Sequence, residues 1–552
     1  MPHIKKNIAI VVLSFFLLSA NLYTLLFTDS LFEGVIDRLW YVLVIAIGWG
    51  TGLFLLKLRT FFIVAGAAQM LVWPIEVSSL YLNGQPVSMP FMYWIISTNS
   101  KETQELLASV WWLVLVVFFV WGLYVWLVTC IPAETKLKIR KWWFSWSILV
   151  GMIMALLSVH FIQLNKNYTA PNKRVYAQIY AWSLGMRVGN VFPYDIYLQT
   201  YRAHKHLKEI DGITALSDFQ FGITPRSDTD SALYVLVIGE AARYQNFSLN
   251  GEYKRETNPL LASQSNLVFY TRACAEANAT DFSIPLMITR ATADNPLIAY
   301  KEKTVAGAFQ EAGYKAAWLS TKPFPIRYLQ HVLPSLDTIW IASKDVIDEA
   351  IFDPFRNLLY DASENSTNGL IVLHTQGSHL NYQDRYPENF AKFEPYLKQG
   401  ATNGTFDKEL MTNTYDNSIL YTDYILHSLI QMLDSTHRCA CLIYMPDHGE
   451  NLCDDERKLW VHGSFEGSEW EFHVPLLVWY SDMFQKKYPH KVEALKANKG
   501  KQVTSQVLFY TLCDMANLQE VANPHYSLLS DSLEEVQTIK ALNGKGELIE
   551  PF

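Results

Sequence analysis

Residues 233–240 read LYVLVIGE, residues 370–379 read LIVLHTQGSH and residues 442–450 read LIYMPDHGE. Each is a short, nearly continuous apolar run that ends in a carboxylate or an imidazole. Such runs are expected of strands covered on both faces by helices. Further runs of the same kind lie at Leu267–Arg272, Lys315–Leu319, Thr338–Ile341 and Val474–Trp479, separated by helical or polar stretches. With Leu233–Gly239, Leu370–His374 and Leu442–Met445 they predict an α/β domain with a largely parallel sheet over residues 231–552.

In sheets of this kind ligands bind beyond the carboxyl ends of the strands, so the residues that follow each run are where a site should be sought. Glu240 ends the first run, His374 and His379 end and follow another, and Asp447 and His448 end a third. Glu240, Asp447 and His448 make an oxygen-plus-nitrogen donor set suited to zinc or manganese. One strand-end carboxylate alone would be read as a helix cap or a surface acid. Several in parallel positions, with Gly239 and Gly449 beside them for close backbone approach, favour a metal, because a buried carboxylate is costly unless paired or metal-bound.

Thr280 lies in AEANATDFSIPLM (275–287), between a strand and a helix predicted to start near Asp281. Threonine is a good helix N-cap, and that is the plainer reading. The same position also suits a nucleophile, since a helix N-terminus offers free N–H groups to a phosphoryl oxygen. A bound zinc would supply the activation that a threonine hydroxyl lacks. His379, His462 and His473 (in GSHL, VHGS and EFHVP) are each, singly, well explained as structural residues. Together, near strand ends, they predict phosphate ligands, a second metal site or a general acid for the leaving group.

Working outward toward the N-terminus, the chain changes character. Half of its 552 residues are hydrophobic and 18% are charged, yet its mean hydropathy is only +0.07, so an apolar part and a polar part are averaged together. Five apolar stretches, at about 8–27, 39–56, 61–81, 109–131 and 143–163, approach or reach the roughly 20 residues that cross a bilayer. Pro74 and Glu76 interrupt the third. Lys5 and Lys6, Lys57 and Arg59, and Lys136, Lys138, Arg140 and Lys141 all fall on one side if every stretch crosses once. By the positive-inside rule that side is the cytoplasm, so everything after about residue 164 lies outside. The division predicted is a transmembrane domain at 1–164, juxtamembrane linker helices at 165–230 and a catalytic domain at 231–552. A net charge of −8 argues against nucleic acid as a partner. Cys130 lies in an apolar run, and the other five cysteines are too sparse and odd in number for a disulfide framework, although an oxidising compartment would permit one or two bridges.

The segments LYVLVIGEAARYQNFSLNGEY (233–253), the Thr280 segment, AGYKAAWLS (312–320), LHTQGSH (373–379), YDNSILYTDYIL (415–426), MPDHGE (445–450) and FHVPLLVW (472–479) are similar, in order, to the lipopolysaccharide phosphoethanolamine transferases. That family belongs to the alkaline phosphatase/sulfatase superfamily, and the resemblance covers nearly the whole chain, including the five spans. DHGE is shared across the superfamily, whereas the ordered set with YDNSILYTDY is far more specific. The resemblance implies a bacterial inner-membrane protein with its catalytic domain in the periplasm. It implies that Thr280 attacks phosphatidylethanolamine, that diacylglycerol leaves, and that lipid A, the core sugars or another periplasmic glycan then takes the phosphoethanolamine. In the family the matching Glu240, Thr280, Asp447 and His448 hold zinc, one ion or two, while His379, His462 and His473 lie at the substrate end. Thr98 and Glu102, in STNSKETQELL (97–107), match a family segment that reaches toward the active site. The family's periplasmic domain is usually disulfide-rich, so this chain with its few cysteines depends more on packing.

The nearest alternative is a transferase of the same superfamily that moves glycerophosphate from phosphatidylglycerol onto a polymer. A plain phosphatase or sulfatase would not need five spans, whereas a lipid-borne donor does. A catalytically dead anchored module is disfavoured by the presence of Thr280 alongside every candidate ligand.

Overall fold

The computed structural model describes residues 2–27, 35–83, 86–97, 111–135, 191–211, 218–225, 232–323, 326–344, 346–400 and 407–552. They divide into two compact units, Met1–Lys205 and His206–Phe552.

The first unit is helical: α1 (Pro2–Phe27), α2 (Val35–Leu55), α3 (Leu58–Met70), α4 (Trp73–Asn83), α5 (Met89–Ser97) and α6 (Trp111–Thr129), before α7 (Tyr194–Asp211). Among the described residues one stretch, Lys5–Leu26, is long and apolar enough to cross a membrane as a single helix. The third predicted span is not one straight helix. It breaks into α3 and α4, bent by 54°, because Pro74 has no N–H to continue the ladder and is tolerated only in the first turn of a new helix. Within α2 and α6 the segments Tyr41–Leu55 and Leu115–Thr129 are shorter apolar helices, although α6 as a whole, Trp111–Thr129, carries no charged residue over 19 residues. The fifth predicted span, 143–163, lies outside the described residues, as does most of the predicted linker.

Polar contacts gather the helix ends into two groups. At one end Leu58 N donates to Thr135 O (2.9 Å) and Lys57 pairs with Glu134 (2.6 Å), so the basic turn after α2 lies beside the link that follows α6. At the other, Tyr41 OH and Phe192 N both donate to Asn21 Oδ1 (2.8 and 3.0 Å).

The second unit is built on a seven-stranded sheet. Its strands are β1 (Ala232–Gly239), β2 (Leu267–Tyr270), β3 (Lys315–Ser320), β4 (Thr338–Ile341), β5 (Gly369–His374), β6 (Cys439–Pro446) and β7 (Leu476–Tyr480), in the spatial order β2-β7-β6-β1-β5-β3-β4. Every neighbouring pair is parallel except those made by β7, which runs antiparallel to β6 and β2. The largely parallel sheet read from the apolar runs is therefore the observed one. The last strand starts two residues later than its apolar run, because Val474 N donates to Ala273 O instead and Pro475 has no N–H to give.

β1 and β6 are buried along their whole length, which is why their sequences do not alternate. One face of the sheet packs against α8 (Thr280–Ile288) and its neighbours, and the other against the long helix α9 (Lys408–Asp434). All six cysteines are free thiols, so covalent bridging contributes nothing to this core.

Candidate active site

Because β1, β3, β5 and β6 are parallel, their carboxyl ends open on one edge, and four loops converge there. Glu240 follows β1, Lys322 follows β3, His379 follows β5, and Asp447 with His448 follows β6.

Thr280 is the first residue of α8. Ala279 occupies the cap position, with no side-chain capping bond, so the hydroxyl is not used to close the helix. It donates instead to Asp447 Oδ2 at 2.7 Å and stands 3.3 Å from Glu240 Oε1 and 3.4 Å from His448 Nε2. Four of the residues predicted from the sequence are thus one cluster, and its two carboxylates and His448 are fully buried. Asp447 is fixed by the backbone, its Oδ1 accepting from His448 N at 2.9 Å and Ala241 N at 3.3 Å. Ala241 itself has a left-handed φ of 53°, an unfavourable conformation for alanine. Tyr415 stabilises it by donating its hydroxyl to Ala241 O at 2.7 Å.

His448 Nδ1 lies 2.8 Å from Gly449 O, which puts the ring proton there and turns the Nε2 lone pair toward the cluster. That is how a metal-binding histidine is oriented. Donor atoms of Glu240, His448 and His462 lie within 4.8 Å of one another, and Asp447 Oδ2 is 3.4 Å from His448 Nε2. Two buried carboxylates this close repel unless a cation stands between them. The donor set therefore fits a divalent ion.

The electrostatics are those of a tightly packed ionic cluster. Burial opposes the charge on Glu240, yet Lys322 and the imidazoles of His379, His448 and His462 outweigh it and hold the carboxyl well below the usual range. Burial, reinforced by Glu240, pushes Asp447 up to about 7. Burial and the neighbouring His462 bring His448 down to about 3, and burial also depresses His379. Burial disfavours the charged ring of His462 too, but Glu450 overrides it and raises that ring to about 9.

A basic end adjoins the cluster. Lys322 Nζ bonds directly to Glu240 Oε2. His379 and His462 have ring centroids 6.3 Å apart, and His462 packs 4.0 Å from His448. Glu450 orients His462, accepting at 2.7 Å from its Nδ1 while its other oxygen takes the Tyr382 hydroxyl at 2.5 Å. Buried Asp348 ties the Lys322 loop to the His379 loop, accepting from Thr321 Oγ1 (2.5 Å), Gln376 N (2.7 Å) and Gly377 N (2.9 Å). Gly377 has φ +50°, and a Cβ there would lie 2.7 Å from Glu240 O, so only glycine lets this loop approach β1. Arg385 completes the loop by donating to His379 O and Leu380 O.

His473 is not brought to the cluster. Its Nε2 lies 2.9 Å from Thr271 O and its ring stacks on Tyr244 at 4.0 Å. Thr98 and Glu102 lie outside the described residues. The sequence reading passed over Lys322, Asp348, Glu450 and Arg385. Lys322 could have been found by the same search, since it follows the run KAAWLST.

A family model described as Sulfatase matches residues 232–518, more than half of the chain. Phosphoethanolamine transferase EptA of Escherichia coli (strain K12) is 30% identical over 354 residues, 62% of this chain and 62% of its own length. The chain thus spans about 62% of the length of the first curated relatives it matches. The C-terminal periplasmic domain of EcEptC from Escherichia coli, in complex with Zn, superimposes with a TM-score of 0.53 at 25% identity, over 60% of this chain and 95% of that one. The integral membrane lipooligosaccharide phosphoethanolamine transferase A (EptA) from Neisseria meningitidis does so with a TM-score of 0.65 at 18% identity, over 94% of this chain and 98% of that one. These likenesses agree with the resemblance read from the sequence and with an alkaline phosphatase/sulfatase-like fold.

Proposed function

Because the chain belongs to the sulfatase family, we propose that it transfers phosphoethanolamine from phosphatidylethanolamine, through a covalent intermediate on Thr280, to lipid A, core sugars or another periplasmic glycan. The observation that carries this reading is the Thr280 hydroxyl, which leaves its helix uncapped and points at Asp447 and Glu240 instead. The name phosphoethanolamine transferase, borne by the E. coli relative, supports the group transferred.

Glu240, Asp447, His448 and Thr280 would hold a zinc ion, with His462 in reach of a second. An ion bound there would lower the pKa of the hydroxyl and neutralise the phosphoryl oxygens; manganese would suit the same donors. The Zn-bound relative supports the choice of zinc.

In the first half of the reaction the Thr280 oxygen bonds to phosphorus and its proton passes to Asp447 Oδ2, to which it already points. The bond from phosphorus to the glycerol oxygen breaks, and His462, whose ring Glu450 keeps protonated, supplies the proton with which diacylglycerol departs, with His379 beside it at the substrate end. In the second half an acceptor hydroxyl gives its proton to the imidazole left neutral and bonds to phosphorus, the bond from phosphorus to the Thr280 oxygen breaks, and Asp447 returns the proton to that oxygen. Lys322 balances phosphoryl charge throughout, and Thr98 and Glu102, which lie outside the described residues, are assigned to substrate binding on the resemblance alone.

A donor embedded in lipid calls for a membrane-held enzyme. We assign residues 1–164 to five spans with the N-terminus cytoplasmic, 165–230 to linker helices and 231–552 to the periplasmic catalytic domain of a bacterial inner-membrane protein. The sorting of helix ends supports that order. Lys57 and Glu134 meet at the end assigned to the cytoplasm, and Asn21, Tyr41 and Phe192 at the end assigned outside.

Intact-mass measurement of the full chain after incubation with vesicles of phosphatidylethanolamine or phosphatidylglycerol tests the proposal. Wild type should gain one phosphoethanolamine from the first vesicles and nothing from the second, and Thr280→Ala should gain none. An equal adduct on both proteins moves the nucleophile elsewhere, and a glycerophosphate adduct makes phosphatidylglycerol the donor.

A further inference from the structure

Glu471 is fully buried in the short helix α10 (Glu469–Phe472), which precedes β7. Its Oε1 accepts from Asn278 Nδ2 at 2.9 Å and from Ser464 N at 2.8 Å, and its Oε2 accepts from the Ser464 hydroxyl. Asn278 stands two residues before Thr280, and Ser464 stands two residues after His462. The same Asn278 amide also donates to Ser464 O at 2.9 Å, closing a small ring of bonds between the two loops.

The backbone of α10 holds a third loop. Gly449 N donates to Glu471 O at 2.7 Å and Glu450 N to Trp470 O at 2.9 Å, which fixes the chain just beyond His448. The approach is so close that a Cβ on Gly449 would lie 2.0 Å from Trp470 O. One residue therefore touches the loop of the nucleophile, the loop of His462 and the loop of the metal ligands.

We propose that Glu471 is a positioning residue for the transfer, its carboxylate setting the distance between Thr280 and His462 through Asn278 and Ser464. This rests on the function proposed above. The chemistry requires a carboxylate. The groups aimed at it are N–H and O–H donors, and a carboxylate is the side chain that only accepts. A glutamine of the same shape would keep its oxygen on the two N–H groups and turn its NH₂ toward the Ser464 hydroxyl. That hydroxyl already accepts from Gly467 N, so it would lose the acceptor for its own proton. A charge this deeply buried is retained only when such donors satisfy it.

The effect expected is on rate, because small misplacements of reacting groups cost much more in turnover than in binding. The experiment uses the full chain in lipid nanodiscs containing phosphatidylethanolamine and measures single-turnover adduct formation, lipid concentration dependence, zinc content and melting temperature. Glu471→Gln should slow adduct formation by about tenfold, leave the apparent KM within about threefold and keep zinc content at the wild-type level. Ser464→Ala, which removes one bond of the ring and folds more safely, should slow it by about three- to tenfold, one net hydrogen bond. A wild-type rate in either variant overturns the proposal. So does a loss of rate in Glu471→Gln that comes with equal losses of zinc and melting temperature, which would make Glu471 a structural residue. If wild type itself forms no adduct, it is the proposed function that fails.

Discussion

Glu240, Asp447 and His448 stand directly beyond the ends of two adjacent strands that are buried from end to end. Lys322, His379 and His462 instead ride on loops whose placement depends on buried side chains, chiefly Asp348, Glu450 and Arg385. The strand-end cluster is therefore as rigid as the sheet, and the basic end is as rigid as a few hydrogen-bonded side chains. Substitutions at the first end should remove chemistry and leave the fold intact, whereas at the second the supporting residues should matter almost as much as those that meet substrate.

The largest effect is expected at the strand ends. Asp447→Ala should lose the metal, with zinc content by mass spectrometry falling to background and transfer falling by about 10³-fold or more. Melting temperature measured in excess chelator should match that of chelated wild type or exceed it, because the variant no longer holds two buried carboxylates against each other. Full zinc occupancy in this variant would break the comparison at its root.

Next in size is Lys322→Met. Removing a preorganised cation from a site where phosphoryl charge develops typically costs about 10²-fold in rate. Zinc content should stay unchanged, since Lys322 touches Glu240 without being a donor to a metal. A variant that lost zinc in parallel would show that the two ends are one structural unit.

The contrast also explains what could be read from the sequence. A strand buried on both faces writes itself as an unbroken apolar run, and whatever follows LYVLVIG or LIYMP is at the site by construction. Thr280 was legible as well, but only as a choice between cap and nucleophile, and the direction of its hydroxyl sets the cap aside. The basic end was harder, because Asp348 and Glu471 lie on short helices whose sequences carry no periodic signal. The surroundings of His473 were illegible for the same reason: Thr271 and Tyr244, which hold its ring, are remote in sequence. The YDNSILYTDYIL segment is a different case, specific in sequence and joined to the site through backbone and loop contacts. Tyr415 secures Ala241, Asp416 binds Tyr253, Asn246 and Arg255, and Asn417 holds Lys392 N and Phe393 N. Its residues clamp the loops that frame the site.

Asp348→Asn tests the basic end through its support. It should cost about 1–3 kcal/mol of stability in urea unfolding, as a buried acceptor is replaced by an amide facing N–H donors. It should also slow transfer by about tenfold, because both the Lys322 and the His379 loops lean on it. Lys322→Met and Asp348→Asn combined should be less than additive, since they act on the same arm. Strict additivity would mean that Asp348 supports the fold and not the site.

The smallest effect is expected at Asp423, which lies on α9 with the clamp residues but supports neither end. Its oxygens accept from Leu260 N and Leu261 N, each at 2.9 Å. Burial pushes its carboxyl up to about 6, against about 3.9 for an unfolded chain. A carboxyl raised in the folded state holds its proton longer there. Its contribution to stability is then complete below about pH 4 and is lost as pH rises through 6; two units correspond to about 3 kcal/mol. Asp423→Asn cannot titrate, and with one acceptor oxygen for two N–H groups it should be about 1 kcal/mol less stable at pH 4. Between pH 4 and 7 the urea stability of wild type should therefore fall relative to the variant, until the variant is the more stable of the two. Transfer rates should be equal at every pH in that range. A variant whose stability tracked wild type would place the titration elsewhere, and one that slowed transfer would mean that the long helix, and not the carboxylates beneath the loops, sets the geometry of the basic end.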